Sequence, residues 1–157
     1  MSETARLADQ IRRAFEGEAW HGDSVIEILQ GVDAAMAAAH PIKKAHSIWE
    51  LVLHIAAWDG AVLKRTRSTA VELSDDQNFP PVKDTSAAAW RQAIEYAEHT
   101  HNELVQAVAV FPDARLAERV PGKTESYDNF FYLFSGIVQH ELYHAGQMAL
   151  LKKAATK

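Results

Sequence analysis

Apolar positions recur at helical spacing along most of the chain, and most of its prolines and glycines fall in the breaks between these periodic runs. Leu7, Ile11, Ala14 and Phe15 form the first stripe, which predicts a helix over about residues 2–16 that breaks at residues 17–22. Asp23 or Ser24 then caps a short helix carrying Val25, Ile26, Ile28 and Leu29, and Asp33 starts a further turn or two before Pro41. Ser47, with Glu50 three residues on, reads as a capping box ahead of the run LVLHIAAW, so a second long helix is expected over about residues 47–67.

Residues 70–85 hold Asp75, Asp76, Asn78, Pro80 and Pro81, which favour turns and loop. Thr85 or Ser86 caps a third long helix ending near Phe111, and after Pro121 and Gly122 the string DNFFYLFSGIVQHELYHAGQMALLKKA reads as a fourth. The expected fold is all-α: an antiparallel four-helix bundle with a short helical insertion between the first two long helices, forming one domain over residues 1–157. The last helix is apolar almost all round, with Phe131, Phe134, Val138, Leu142 and Ala145 on a different face from Leu133, Ile137 and Leu151. Such a helix is expected to be buried almost all round, and a second copy of the chain is the simplest cover for what one bundle leaves over, hence an expected homodimer.

Composition narrows the chemistry. A hydrophobic fraction of 48% and a charged fraction of 24% fit a soluble globular domain, and the net charge of -5 gives no general attraction to phosphate backbones or anionic lipid. Neither nucleic acid nor membrane is expected as a partner; no run reaches the length of a membrane span, and the N-terminus lacks a secretory core, so cytoplasmic residence is the expectation. With no cysteine, any metal must be held mainly by nitrogen and oxygen.

His140 and His144 stand four apart on the last helix, so their side chains lie one turn apart and about 40° around its axis. They share a stripe with Leu133, Ile137, Gln147 and Leu151, which turns them inward. His54 lies beside the stripe of Ile48, Leu51, Ile55, Trp58 and Val62 on the second long helix and can face the pair. A lone histidine would be read as a hydrogen-bonded core or surface residue; three together from two helices form a ligand set for one divalent ion, zinc or nickel ahead of iron or manganese, with a coordination position left open.

Two other motifs compete. HELYH matches the H-E-x-x-H of zinc proteases, in which Glu141 would be the catalytic base, but no histidine or acidic residue follows His144 and no strand is expected to pair with a peptide. Glu98–His101 and Glu141–His144 are both E-x-x-H pairs of the di-iron type, yet the first helix offers glutamates only near its ends, Glu3 and Glu16.

The strings AFEGEAWHG, AHSIWELVLHIAAWD, VPGK and GIVQHELYHAGQMALLKK together resemble the DinB damage-inducible superfamily over nearly the whole chain; Leu53-His54-Ile55 and His140/His144 followed by Ala145-Gly146-Gln147 are the most specific parts. The resemblance implies a four-helix bundle, often dimeric, that binds a divalent metal through His54, His140 and His144. It also implies, for some relatives, thiol-dependent transfer or isomerisation with a low-molecular-weight thiol as partner.

Around this site, Glu50 caps its helix and, with His46, is a candidate for the pocket mouth, His46 itself being read as solvent-exposed. Trp20, His21 and Trp49 are candidate walls, with core packing as the competing role of the tryptophans, and Tyr143 and Gln147 are candidates to orient a ligand or an imidazole. His99 and His101, two apart, cannot share an ion and read as surface residues, and Pro121–Thr124 lacks the upstream glycine of a phosphate-binding loop. The expected function is a metal-dependent enzyme activating a thiol or water for transfer or hydrolysis of a small molecule, with Glu141 as the candidate catalytic residue; a non-catalytic metal- or ligand-binding module is the alternative.

Overall fold

Each long helix opens on a side-chain cap that the sequence supplies. In the computed structural model, which describes residues 1–125 and 128–156, the Ser2 hydroxyl accepts from the Ala5 amide, Ser86 from Ala89, and the Asn129 side chain from Tyr132. Ser47 and Glu50 cap each other's amides reciprocally at 2.7 and 3.2 Å. These caps start α1 (Glu3–Glu16), α4 (Ile48–Thr66), α6 (Ala87–Ala109) and α7 (Phe130–Ala155). The first stops at Gly17, whose φ of 147° disfavours any residue with a Cβ.

The expected insertion between the first two long helices is present as α2 (Val25–Leu29), boxed by Ser24 and Glu27, and α3 (Ala34–Ala38), capped by Asp33. One expectation fails locally: the connection after α4 is not all loop, because Ser74 and Gln77 form a third capping box that starts α5 (Asp75–Asn78). The chain is all-helical among the described residues, apart from one isolated bridge between Arg119 and Asn129.

α1 and α4 each pack against both α6 and α7. The core between them falls into two apolar clusters. One gathers Val52 and Ile55 of α4, Trp90 and Ala97 of α6, Met148 and Leu151 of α7 and Phe15 of α1. The other gathers Leu7 and Ile11 of α1, Val62 of α4, Leu104 and Val108 of α6, and Phe130, Phe134 and Ile137 of α7. Followed along the chain, α4 and α6 pass from the first cluster to the second, whereas α1 and α7 pass from the second to the first. Simple up-and-down alternation therefore does not describe the order: α4 and α6 run in one sense, and the long connection through α5 returns the chain between them.

Burial of α7 is also less complete than its composition suggests. Phe134 and Met148 are fully buried, but Phe131 is 46% exposed, Tyr143 66% and Leu150 62%. The apolar surface of α7 exceeds what three neighbouring helices cover, so part of it meets solvent in the single chain.

Leu104 is wholly buried at the centre of the second cluster, so Leu104→Ala should lower unfolding free energy by about 2–5 kcal/mol through lost transfer energy and a cavity. Urea denaturation checks this, and a loss under about 1 kcal/mol would contradict the packing described.

Candidate metal centre

Between the two apolar clusters the long helices place two groups of titratable side chains. In the first, His54 of α4 meets His140 and His144 of α7, as the spacing predicts, with one nitrogen from each within 4.8 Å of the others. The ring centroids are 4.9 Å (54–140), 4.6 Å (54–144) and 4.5 Å (140–144) apart.

The hydrogen bonds set the tautomers. His54 Nδ1 donates to the Asn78 carbonyl at 2.7 Å and His144 Nδ1 donates to Gln147 Oε1 at 2.8 Å, so in the neutral rings both Nε2 atoms carry lone pairs. His140 Nε2 lies 2.9 Å from His54 Nε2, and its buried Nδ1 has no hydrogen-bond partner. Burial, with its histidine neighbours, pushes the His54 pKa down to about 4 against the Asn78 hydrogen bond, and the His140 pKa down to about 3. Burial also lowers that of His144, against the opposing Gln147 bond. All three rings are thus held neutral at physiological pH, the form that ligates metals.

The connection read as plain loop contributes most of the surroundings of His54. Beyond the Asn78 carbonyl, the Asn78 side chain accepts from Trp58 Nε1 at 2.8 Å, and the Phe79 ring lies flat on His54 at 4.0 Å and on His46 at 3.8 Å. A cavity of about 260 Å³ bounded by Trp58, Val62, Leu133 and Ile137 has His140 in its wall.

Of the expected flanking residues, Gln147 orients His144 as anticipated, and Tyr143 stands edge-on to His144 at 5.1 Å while exposed. His46 is exposed as expected, yet its contact with Phe79 ties it to the site. Glu50 caps α4 and also sits 3.2 Å from His40 and 3.4 Å from His46. The two tryptophans offered as walls are elsewhere. Trp49 is buried against Trp90 at 5.0 Å, and Trp20, fully exposed, joins His21 in a separate cavity with Val138 and Leu142.

The second group corrects two sequence readings. His101 is not a surface residue: it is completely buried, stacked on Phe15 at 4.2 Å, with Nδ1 3.1 Å from Asp59 Oδ2 and 3.3 Å from Glu141 Oε1. Glu141, the candidate catalytic residue, is equally buried in this group, so the glutamate of HELYH turns away from its two histidines. The E-x-x-H pairs separate as well, with His101 and Glu141 in one cluster, His144 in the other and Glu98 lining a different cavity. A signal was there to read: Asp59, His101 and Glu141 each interrupt an apolar stripe, as in Ala97–His101–Leu104–Val108.

Burial opposes charge on His101, but the two carboxylates outweigh it and push its pKa up to about 9. Burial and Asp59 push Glu141 up to about 8 despite His101. Burial raises the Asp59 pKa as well, against the pull of His101 and Glu141, so the trio retains protons that its carboxyl groups would lose in water.

Residues 19–148 match the pattern of the DinB superfamily, and the chain belongs to that family. No curated protein and no solved structure shows a significant match to it.

A histidine whose folded pKa of about 9 lies above its ordinary 6.5 contributes stability that is fully present below 6.5 and is lost as pH rises through 9. Glu141, raised from 4.5 to about 8, acts in the same direction. Metal-free protein should therefore lose about 3 kcal/mol from His101 alone between pH 6.5 and 9 in urea unfolding, and more with Glu141, and stability that is flat or rising over that range would refute the assigned proton retention.

Proposed function

We propose that this protein is a metal-dependent enzyme holding one divalent ion, zinc or nickel by its nitrogen donor set, on His54, His140 and His144, and that it activates a low-molecular-weight thiol or a water for transfer or hydrolysis of a small molecule. The observation that carries the reading is the convergence of three neutral imidazoles whose outer nitrogens are held by Asn78 and Gln147 at two of the three positions. Membership of the DinB superfamily supports it further.

When bound, the ion would supply Lewis acidity, lowering the pKa of a thiol or water at its open position. The chain's own share is to keep the three rings neutral, to fix two tautomers, to cover one face of His54 with Phe79, and to open the trio to the cavity through His140. Glu141 has no part in this chemistry.

The expected partners and setting complete the reading: a single cytoplasmic domain, no nucleic acid or membrane partner, and a homodimer. No helix among the described residues is long and apolar enough to cross a membrane. Tyr132, Tyr143 and Leu150 fall on one exposed stripe of α7, at steps of 11 and seven residues, and a second copy would cover it. Light scattering at micromolar concentration should give twice the chain mass, dropping to the monomer in a Tyr143→Glu/Leu150→Glu variant; a monomeric wild type would sink the dimer.

Elemental analysis of untagged protein should find about one metal per chain, lost in His140→Ala with the helical circular dichroism retained. Cobalt-substituted protein should gain a sulfur-to-metal charge-transfer band on adding a small thiol. Absence of metal even after reconstitution would return the histidines to a structural role.

A further inference from the structure

The cavity beside His140 contains a buried cation with an idle donor. Arg65, near the end of α4, is 4% exposed and lines this cavity. Its Nη2 donates to the Val71 carbonyl at 2.8 Å, its guanidinium lies 5.6 Å from the Trp58 ring centre, and its Nε has no hydrogen-bond partner. No carboxylate among the described residues reaches ion-pair distance from it; Asp128, in the same wall, and Glu72 attract it only from longer range. Exposed Lys123 also lines the cavity, whose wall holds two cations and Asp128, with Glu72 acting on Arg65 from longer range. A buried guanidinium with an idle N–H is costly unless a ligand completes it.

We propose that this cavity binds a small organic acid, with its carboxylate on Arg65, its apolar body against Trp58 and Ile137, and its far end toward His140. A carboxylate fits better than a phosphate. The remaining walls are largely apolar, and one planar guanidinium edge matches two carboxylate oxygens but cannot balance a dianion. At about 260 Å³ the cavity is just below the range typical of drug-sized ligands, so the acid is small. That the far end is the reacting end rests on the metal-centre reading; the Arg65 site does not.

Gly136 provides an independent probe, since it lines the cavity within α7 and a Cβ there would meet no atom within 4 Å. Calorimetric titrations would compare phenylacetate with the neutral, isosteric phenylacetamide, on metal-free and on zinc-loaded protein. The acid should bind at least about tenfold more tightly in both forms. Arg65→Gln should abolish that preference, and Gly136→Leu, which fills the cavity and leaves Arg65 in place, should abolish binding of both. Equal affinities in the wild type would overturn the proposal, as would binding unchanged in Gly136→Leu, which decides the matter if Arg65→Gln does not fold. A preference seen only with zinc and surviving Arg65→Gln would place the carboxylate on the metal, overturning this proposal while upholding the centre. An Arg65-dependent preference in a protein that never takes up zinc would do the reverse.

Discussion

Most of the interior of this protein is apolar and therefore undemanding about direction, and the Asp59–His101–Glu141 cluster is the part that is not. Three titratable groups without solvent exposure each lose several kcal/mol of hydration, which is offset only while the His101 N–H lies between the two carboxylates. That condition ties α4, α6 and α7 to one rotation and one register, and Phe15 of α1 closes the cluster from the remaining side. Glu141 follows His140 directly on α7, and Asp59 lies five residues from His54 on α4. The rotation that buries Glu141 against His101 is therefore the rotation that presents His140 and His144 to His54. The polar layer acts on the candidate metal centre as a positioning device, through the backbones of the two helices that both clusters share.

The second constraint comes from outside the helices. His54 cannot receive its tautomer from α4, whose backbone groups are committed to the helix, and it takes it from the carbonyl of Asn78 at the end of α5. The same residue holds Trp58 through its side chain, and the next one, Phe79, covers the imidazole. A connection that must span the helix pair in any case, because α4 and α6 run in one sense, is thereby used to finish the site.

These two constraints explain what was legible in the sequence. Helix boundaries were, because Ser2, Ser47, Ser86 and Asn129 are local signals whose partners lie three residues away. The trio His54, His140 and His144 was legible too, because two members share a helix face and the third sits beside a strong apolar stripe. What escaped depends on long-range partners. His101 reads as a surface residue because it cannot share an ion with His99, although its position between Ala97 and Leu104 lies on the buried stripe; Glu141 reads as the catalytic residue of its motif, although Asp59 and His101 claim it. Backbone groups such as the Asn78 carbonyl carry no residue-type signal at all, and the idle Nε of Arg65 depends on which acceptors fail to reach it.

The two clusters use histidine in opposite ways within one core, and the contrast bears on what the centre can hold. His101 sits between carboxylates and stays cationic, whereas His54, His140 and His144 face one another and stay neutral. Three neutral nitrogens cancel none of a divalent ion's charge, and the nearby glutamate that could have done so is turned into the other cluster. With the proposed ion bound, a site built in this way would favour an anion at its remaining position, a thiolate or hydroxide over the neutral forms, because attraction across a partly buried space is weakly screened. The adjoining wall adds Arg65 and Lys123, with Asp128 beside them and Glu72 acting on Arg65 from longer range. With the ion of the proposed centre bound, one end of this space would suit a negative group, as the idle donor of Arg65 would at the other, and its apolar middle an uncharged body between them.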